Sequence, residues 1–255
     1  MTVPLPAMES AAPTVLVFSG LDPSGGAGIA ADLLAIAAQG VHALPVLTAL
    51  TVQDNNRVYE VAPVDPDLLL RQGRALASAV TIGAVKIGIV GNRANAEAVA
   101  LLIAELRSLN PALPVVLDPV LASGHGDPLA RGDALAALAP LLPLATLAVP
   151  NLAEWKALDG AGLDGVLVTG GHGDGAEVVN RWLRAGQPVR EWRWPRLDGQ
   201  FHGSGCTLAA AIAARLALGE PMEAALGRAQ AYTHAALAAA LSIGPGQRIP
   251  RRFLR

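Results

Sequence analysis

The chain has 255 residues, 52% of them hydrophobic, with a charged fraction of 16% and a formal net charge of −2. That is enough apolar material for the core of one large α/β domain, and it lacks the basic excess that marks nucleic-acid or anionic-membrane partners. A single cysteine, Cys206, excludes an intramolecular disulfide and fits a reducing, cytoplasmic setting.

Met1–Pro13 carries no basic region and no long apolar run, so it is expected to be a frayed tail, with 14–255 as a single domain. Thr14–Ser19 (TVLVFS) is a β-branched run ending at a glycine and predicts a buried strand. Gly28–Gln39 is an alanine-rich helix closed by Gly40, where a left-handed cap is wanted. Further strands are expected at Leu44–Leu50, Ala84–Gly88, Pro114–Leu117, Thr146–Val149 and Val166–Thr169, and helices at Asp67–Ala79, Ala94–Ser108 and Leu129–Leu142. Val178–Trp194 has tryptophans, arginines and partial alternation, and predicts a short antiparallel pair at a sheet edge. Helices at Thr207–Leu218 and Met222–Leu241 finish the chain. No window reaches the ~18 uninterrupted apolar residues of a membrane span; Leu208–Leu218 comes nearest, and Arg215 interrupts it. The order implies a mostly parallel sheet with helices on both faces. Ligands of such sheets sit beyond the carboxyl ends of the strands, where Asp22, Gln53, Asp118, Asn151 and Glu154 stand.

Three stretches carry chemistry. SGLDPSGGAG, Ser19–Gly28, turns from strand into helix on glycines, which lets backbone approach a ligand closely. It has neither the GK[ST] of a P-loop nor the spacing of a dinucleotide fingerprint. In FHGSGCTLAAAIAARLALG, the turn Gly203, Ser204, Gly205, Cys206 opens a long helix whose first amides can cradle a phosphoryl oxygen; the plainer reading is a helix capped by Ser204. A helix N-terminus is expected to lower the pKa of Cys206. A cysteine hydrolase using His202 as base lacks a third orienting group and an oxyanion donor of its own. In PNLAEW, Asn151 and Glu154 share one face of a helical turn, which suits Mg²⁺ shared with phosphate; the same pair equally makes a capping box. His125 and His172, each flanked by glycines, match no common zinc spacing.

SGLDPSGGAGIAADL, TALTVQD, KIGIVG, LDPVLASGHGDPL, VPNLAEW, VTGGHGDG and HGSGCTLAAAIAA follow one another in this order. Together, over Val15 to Leu241, they resemble the hydroxymethylpyrimidine/phosphomethylpyrimidine kinases of thiamine biosynthesis, and through them pyridoxal kinases and the ribokinase-like group. The resemblance implies an ATP-dependent kinase with a ribokinase-like fold, Mg²⁺, and a homodimer. It implies that Gly20, Asp32 and Gln53 hold the pyrimidine, and that Gly203, Ser204, Gly205 and Cys206 form an anion hole with Cys206 at the base position. It further implies that Asn151 and Glu154 serve Mg²⁺ and phosphate, that Thr169 and Gly171 lie at the nucleotide phosphates, and that Ala122–Leu129 is a flap.

Three departures stand out. Thr169 replaces the family's lysine in Lys-Gly-Gly-His, and this chain's lysines are Lys86 and Lys156 alone. The link between Glu154 and Val166 is short, and DGAGLDG within it is little more than a turn where relatives carry an extra helix. The second strand ends in TVQD, without the common terminal asparagine. The expected substrate is 4-amino-5-hydroxymethyl-2-methylpyrimidine; a pyridoxal kinase or a non-catalytic pyrimidine-binding relative are the alternatives.

Overall fold

Val15, Leu16, Val17 and Phe18 are wholly buried, and a run apolar on both faces belongs in the interior of a sheet covered on both sides. It forms β1 (Thr14–Leu21), with β2 (His42–Gln53) on one side and β4 (Ala84–Ile87) on the other, both parallel to it. The computed structural model describes residues 11–122, 129, 133–159, 161–171 and 173–253. Beyond β4 the parallel array continues through β5 (Val115–Leu117), β6 (Leu147–Ala148) and β7 (Gly165–Val168). Antiparallel strands close both edges: β3 (Val58–Pro63) on β2, and the hairpin β8 (Glu177–Arg184) and β9 (Gln187–Pro195) on β7. The full order is β3-β2-β1-β4-β5-β6-β7-β8-β9.

The strand period divides the core. Leu16 and Phe18 face one cluster, with Leu69 of α2 (Pro66–Ala79) and Leu102 of α3 (Arg93–Leu109). Val15 and Val17 face the other, with Ile36 of α1 (Gly28–Ala37), Ile212 of α6 (Ser204–Ala217) and Leu226 of α7 (Met222–Ala238). The mostly parallel sheet, its helical faces and its antiparallel edge agree with the sequence expectation. Gly40 takes the left-handed conformation foreseen for it, φ 77°. The helix expected from Asp67 begins one residue earlier and is capped by Asp65, which accepts from the Leu68 amide.

Two segments differ from expectation. Strand β3 was not foreseen, because its alternation is weak: it is an edge strand with Glu60 exposed and no residue fully buried. In place of one helix over Leu129–Leu142 stand α4 (Ala134–Leu138) and a 3-10 turn at Leu142–Leu144. Pro140 and Pro143 lack the amide needed to continue a helix, and Asp133 caps the short piece by accepting from the Leu135 and Ala136 amides. Part of the expected tail (1–10), most of the expected flap (123–128), and His125 and His172 lie outside the described residues.

Candidate active site

The carboxyl ends of the parallel strands and the start of α6 converge on one place, since α6 packs across β1, β4 and β5 as well as α1. Its N-cap is Gly203 at φ 82°, and no side chain caps the helix, so Ser204 is the first helical residue and not the cap. Only glycine fits at 203: besides the backbone angle, a Cβ there would overlap the Gly26 carbonyl oxygen and lie 2.9 Å from Arg252 Nη2. Gly28, φ 58°, is constrained likewise, because a Cβ would run into the Gly20 carbonyl. The backbone amides of Ser204, Gly205 and Cys206 have no acceptor among the described residues. Three unpaired amides at the end of a 14-residue helix attract negative charge. A Cβ on Gly205 would lie 3.9 Å from both carboxylate oxygens of Asp118, which follows β5, so the turn sits over that carboxylate.

The first glycine-rich turn is tied to the second. Asp22 accepts from the Ser24 amide at 2.8 Å and the Ala27 amide at 2.7 Å, and meets His202 Nε2 at 2.7 Å. Burial opposes charge on Asp22, yet these bonds outweigh it and hold its pKa below the ordinary value. Gly26 lies against the His202 ring, where a Cβ would overlap it.

Beneath the turns lies a buried charge cluster that sequence reasoning missed. Lys86 Nζ is 2.8 Å from Asp32 Oδ2, with both side chains at 0% exposure. Burial disfavours charge on Lys86, but Asp32, Cys206 and Asp118 outweigh it and its pKa is raised. Asp32 is subject to the opposite pull, burial raising its pKa against the attraction of Lys86. With a 2.8 Å contact and further acids around the ammonium, the ionised pair is the state the geometry supports. The signal in the sequence was a lysine in the apolar strand AVKI. Asp32 thus anchors the floor of the site and is closed to solvent, its Oδ1 without a hydrogen-bond partner among the described residues. Gly20 packs against Ile89, whose side chain occupies the space of a Cβ. Gln53, the last residue of β2, pairs with Val58 and is half-buried.

Burial pushes the Asp118 carboxyl up to about 6, with Lys86 pulling it back. Burial pushes Glu154 up to about 7, helped by the charge on Asp118. The thiol of Cys206 goes the opposite way from the sequence expectation. Surrounding chain desolvates it and drives its pKa up to about 12; Lys86 lowers it, while Asp118 and Asp32 raise it again. Desolvation and two nearby carboxylates outweigh the helix N-terminus, although the residue keeps partial exposure.

Asn151 and Glu154 form a complete capping box at the start of α5 (Leu152–Leu158): Asn151 Oδ1 accepts from the Ala153 and Glu154 amides, and Glu154 Oε2 from the Asn151 amide at 2.8 Å. The Asn151 side-chain oxygen is thereby engaged, which counts against direct metal ligation through it. The buried carboxylates have different prospects. Asp118 Oδ2 has no hydrogen-bond partner among the described residues, and two desolvated acids near each other suit a divalent cation shared with phosphate oxygens. Thr169 is bonded to the Pro150 carbonyl through its amide, 2.9 Å, and its hydroxyl, 3.3 Å, which places it beside Asn151. Gly171 is exposed, and its carbonyl accepts from Arg196 Nη1 at 2.7 Å. The structure therefore gathers Gly203–Cys206, Asp118 and Glu154 with the first glycine turn, and sets Asn151, Thr169 and Gly171 beside them.

A family model described as phosphomethylpyrimidine kinase matches residues 22–250. The chain is 38% identical to the hydroxymethylpyrimidine/phosphomethylpyrimidine kinase of Rhizobium meliloti, over 94% of this chain and 97% of that one. It is 36% identical, over 96% of its length, to 36% of the thiamine biosynthesis multifunctional protein ThiED of Corynebacterium efficiens. Among solved structures, the pyridoxal kinase of Bacillus subtilis, an ADP complex, superposes with a TM-score of 0.83 at 26% identity, covering 95% of this chain and 98% of that one.

Proposed function

The chain belongs to the phosphomethylpyrimidine kinase family, and from that premise we propose that it transfers the γ-phosphoryl group of ATP to the hydroxymethyl oxygen of 4-amino-5-hydroxymethyl-2-methylpyrimidine in thiamine biosynthesis. The observation that carries this reading is the row of unpaired amides at Ser204, Gly205 and Cys206, set over a buried carboxylate and against a glycine-rich turn. Phosphoryl transfer asks a protein mainly for positioning and for donors aimed at the charge on the transferring group. Those amides meet the second need, and the turn ending at Gly28 brings backbone close enough for the first. Gly20 and Gln53 border the pyrimidine, the glutamine amide offering both a donor and an acceptor to an aminopyrimidine edge.

As the substrate oxygen bonds to the γ-phosphorus and the bond to ADP breaks, the hydroxyl proton passes to Cys206 Sγ while the thiol's own proton passes to Asp118. A thiol with a pKa near 12 is no resting thiolate, but a carboxylate with a pKa near 6 is ionised at neutral pH and takes that proton. Glu154, together with phosphate, would hold Mg²⁺, which would neutralise charge there. Asn151 acts by orienting Glu154. Thr169 and Gly171 border the nucleotide phosphates. The reading includes one kinase domain over 14–255, acting in the cytoplasm as a homodimer; Leu50 and Val52, apolar and exposed on β2, favour a partner surface.

Purified protein with Mg-ATP and a panel of the pyrimidine alcohol, its monophosphate and pyridoxal, with mass detection of products, tests the proposal. Phosphorylation of the alcohol is expected. A higher kcat/KM on pyridoxal would select the second reading, pyridoxal kinase, which the superposition on the Bacillus subtilis enzyme favours. No phosphorylated product from any of them would refute both.

A further inference from the structure

The described residues after α7 (239–253) contribute no helix or long strand, yet they are stitched to three parts of the site. Asn55, just past β2, donates through Nδ2 to the Pro245 and Gln247 carbonyls, both at 3.1 Å. The Arg248 carbonyl accepts from the His202 amide at 2.9 Å, one residue before the helix cap. Arg252, further along the same segment, is 3% exposed. Its backbone is fixed too, since the Arg252 carbonyl accepts from Tyr232 Oη at 2.9 Å.

The guanidinium of Arg252 spans the seam between the two glycine-rich turns. Nε donates to Thr207 Oγ1 at 3.0 Å, and that hydroxyl donates to the Gly203 carbonyl at 2.7 Å. Nη2 donates to the Gly26 carbonyl and, at 3.5 Å, reaches the Gly203 carbonyl; Nη1 reaches the Gly25 carbonyl at 3.4 Å. A peptide plane is rigid and its carbonyl and amide point opposite ways. Holding the Gly203 carbonyl from below therefore aims the Ser204 amide away from Arg252, toward the face where the helix amides are unpaired. A planar fork with five donors suits several carbonyls at fixed angles, which a lysine cannot reproduce. The alternative role, stabilisation of the fold alone, does not require one side chain to grip carbonyls of both turns.

We propose that Arg252 is a positioning residue for phosphoryl transfer: its guanidinium locks the Gly25–Gly26 turn to the Gly203–Thr207 turn, so that the substrate and the anion-binding amides keep one alignment. The proposal rests on the kinase reading, and the experiment separates the two. Arg252→Met, Arg252→Lys and Thr207→Val are compared with the wild type in steady-state turnover of the pyrimidine alcohol, and by hydrogen exchange of the amides of 203–207. Expected are a 10- to 100-fold lower kcat in Arg252→Met with KM for ATP within about threefold. Arg252→Lys should recover less than a tenth of the loss, millimolar guanidinium should restore part of the turnover of Arg252→Met, and exchange should rise at Thr207, whose amide donates to the Gly203 carbonyl, while the core of α6 stays protected. Thr207→Val should lower kcat by itself, and the double variant should lose less than the product of the single losses. Wild-type kcat in a folded Arg252→Met, or full recovery by lysine, overturns the proposal. So does exchange that rises evenly along α6, or stays unchanged. The exchange measurement decides even if the wild type turns over no substrate, an outcome that would refute the kinase reading instead.

Discussion

The single cysteine makes the state of Cys206 directly measurable, because any alkylated adduct reports on that thiol. An ordinary cysteine has a pKa of about 8.5, whereas burial and the carboxylates of Asp118 and Asp32 push Cys206 up to about 12. At pH 8 that shift lowers the thiolate fraction by roughly 10³-fold. A more basic thiolate is intrinsically more nucleophilic, with a Brønsted slope of about 0.4–0.5, which returns some 30-fold. Iodoacetamide should thus label the native protein about 100-fold more slowly than a free thiol at pH 8, before any steric hindrance. The rate should climb about tenfold per pH unit to pH 10 without a plateau. Asp118→Asn removes a negative charge and should speed labelling; Lys86→Met removes a cation and should slow it. Mass spectrometry of the intact protein over time, with the urea-unfolded chain as reference, gives the rates. A plateau below pH 9 in the folded protein would refute the desolvation argument and return Cys206 to the role of a resting thiolate base.

Breaking the Lys86–Asp32 pair with Lys86→Met should cost roughly 3–5 kcal/mol in urea denaturation, while Lys86→Met combined with Asp32→Leu should recover most of it, since an apolar pair of similar volume leaves no charge unpaired. Glu154 is raised from 4.5 to about 7 and Asp118 from 3.8 to about 6. A raised acid binds its proton more tightly when folded, so its contribution is present below the unfolded pKa and lost as pH rises through the folded one. Stability without metal should therefore fall between about pH 4 and 7, by up to about 3 kcal/mol from Glu154; Glu154→Gln should flatten the profile, and Mg²⁺ should offset the loss above pH 7. Gly205→Val places a side chain against Asp118 at an exposed helix start; the melting temperature should change little while kcat falls by about 100-fold or more. Thr169→Lys, beside Asn151, should raise kcat/KM on the monophosphate more than on the alcohol, because a monophosphate carries nearly two charges at neutral pH; equal effects on both substrates would remove the electrostatic role of that position.

Local pattern carried most of the fold. The buried strand at Val15–Phe18, the helix closed by Gly40 and the antiparallel pair at Val178–Trp194 are short-range signals, and the structure has them. Strand β3 was illegible because an edge strand is specified by its partner more than by its own alternation. The two glycine-rich turns were visible as motifs, but their mutual packing was not. His202 lies 180 residues from Asp22, and Arg252 lies 226 from Gly26, so those contacts exist only after folding. The direction of the Cys206 shift was lost for the same reason: a helix N-terminus is readable from sequence, but the desolvation and the acids that oppose it arrive from β5 and α1.

The capping box in PNLAEW is compatible with the proposed metal role of the same stretch. The Asn151 amide binds Glu154 Oε2, and the Asn151 side chain holds the Glu154 amide, so the carboxylate is fixed in direction by the cap itself. Burial raises the Glu154 pKa to about 7, the charge on Asp118 adds to it, and the bond from the Asn151 amide pulls it back. Two acids placed this way destabilise the protein in their ionised state, and a bound divalent cation would relieve that repulsion. An ordinary helix start thereby becomes a site whose affinity for Mg²⁺ should rise with pH through the range in which Asp118 and Glu154 ionise. At Gly203–Cys206 the amides that an ordinary cap would satisfy stay unpaired, held from below by Arg252 through the Gly203 carbonyl, and so are free for the phosphoryl group of the proposed transfer.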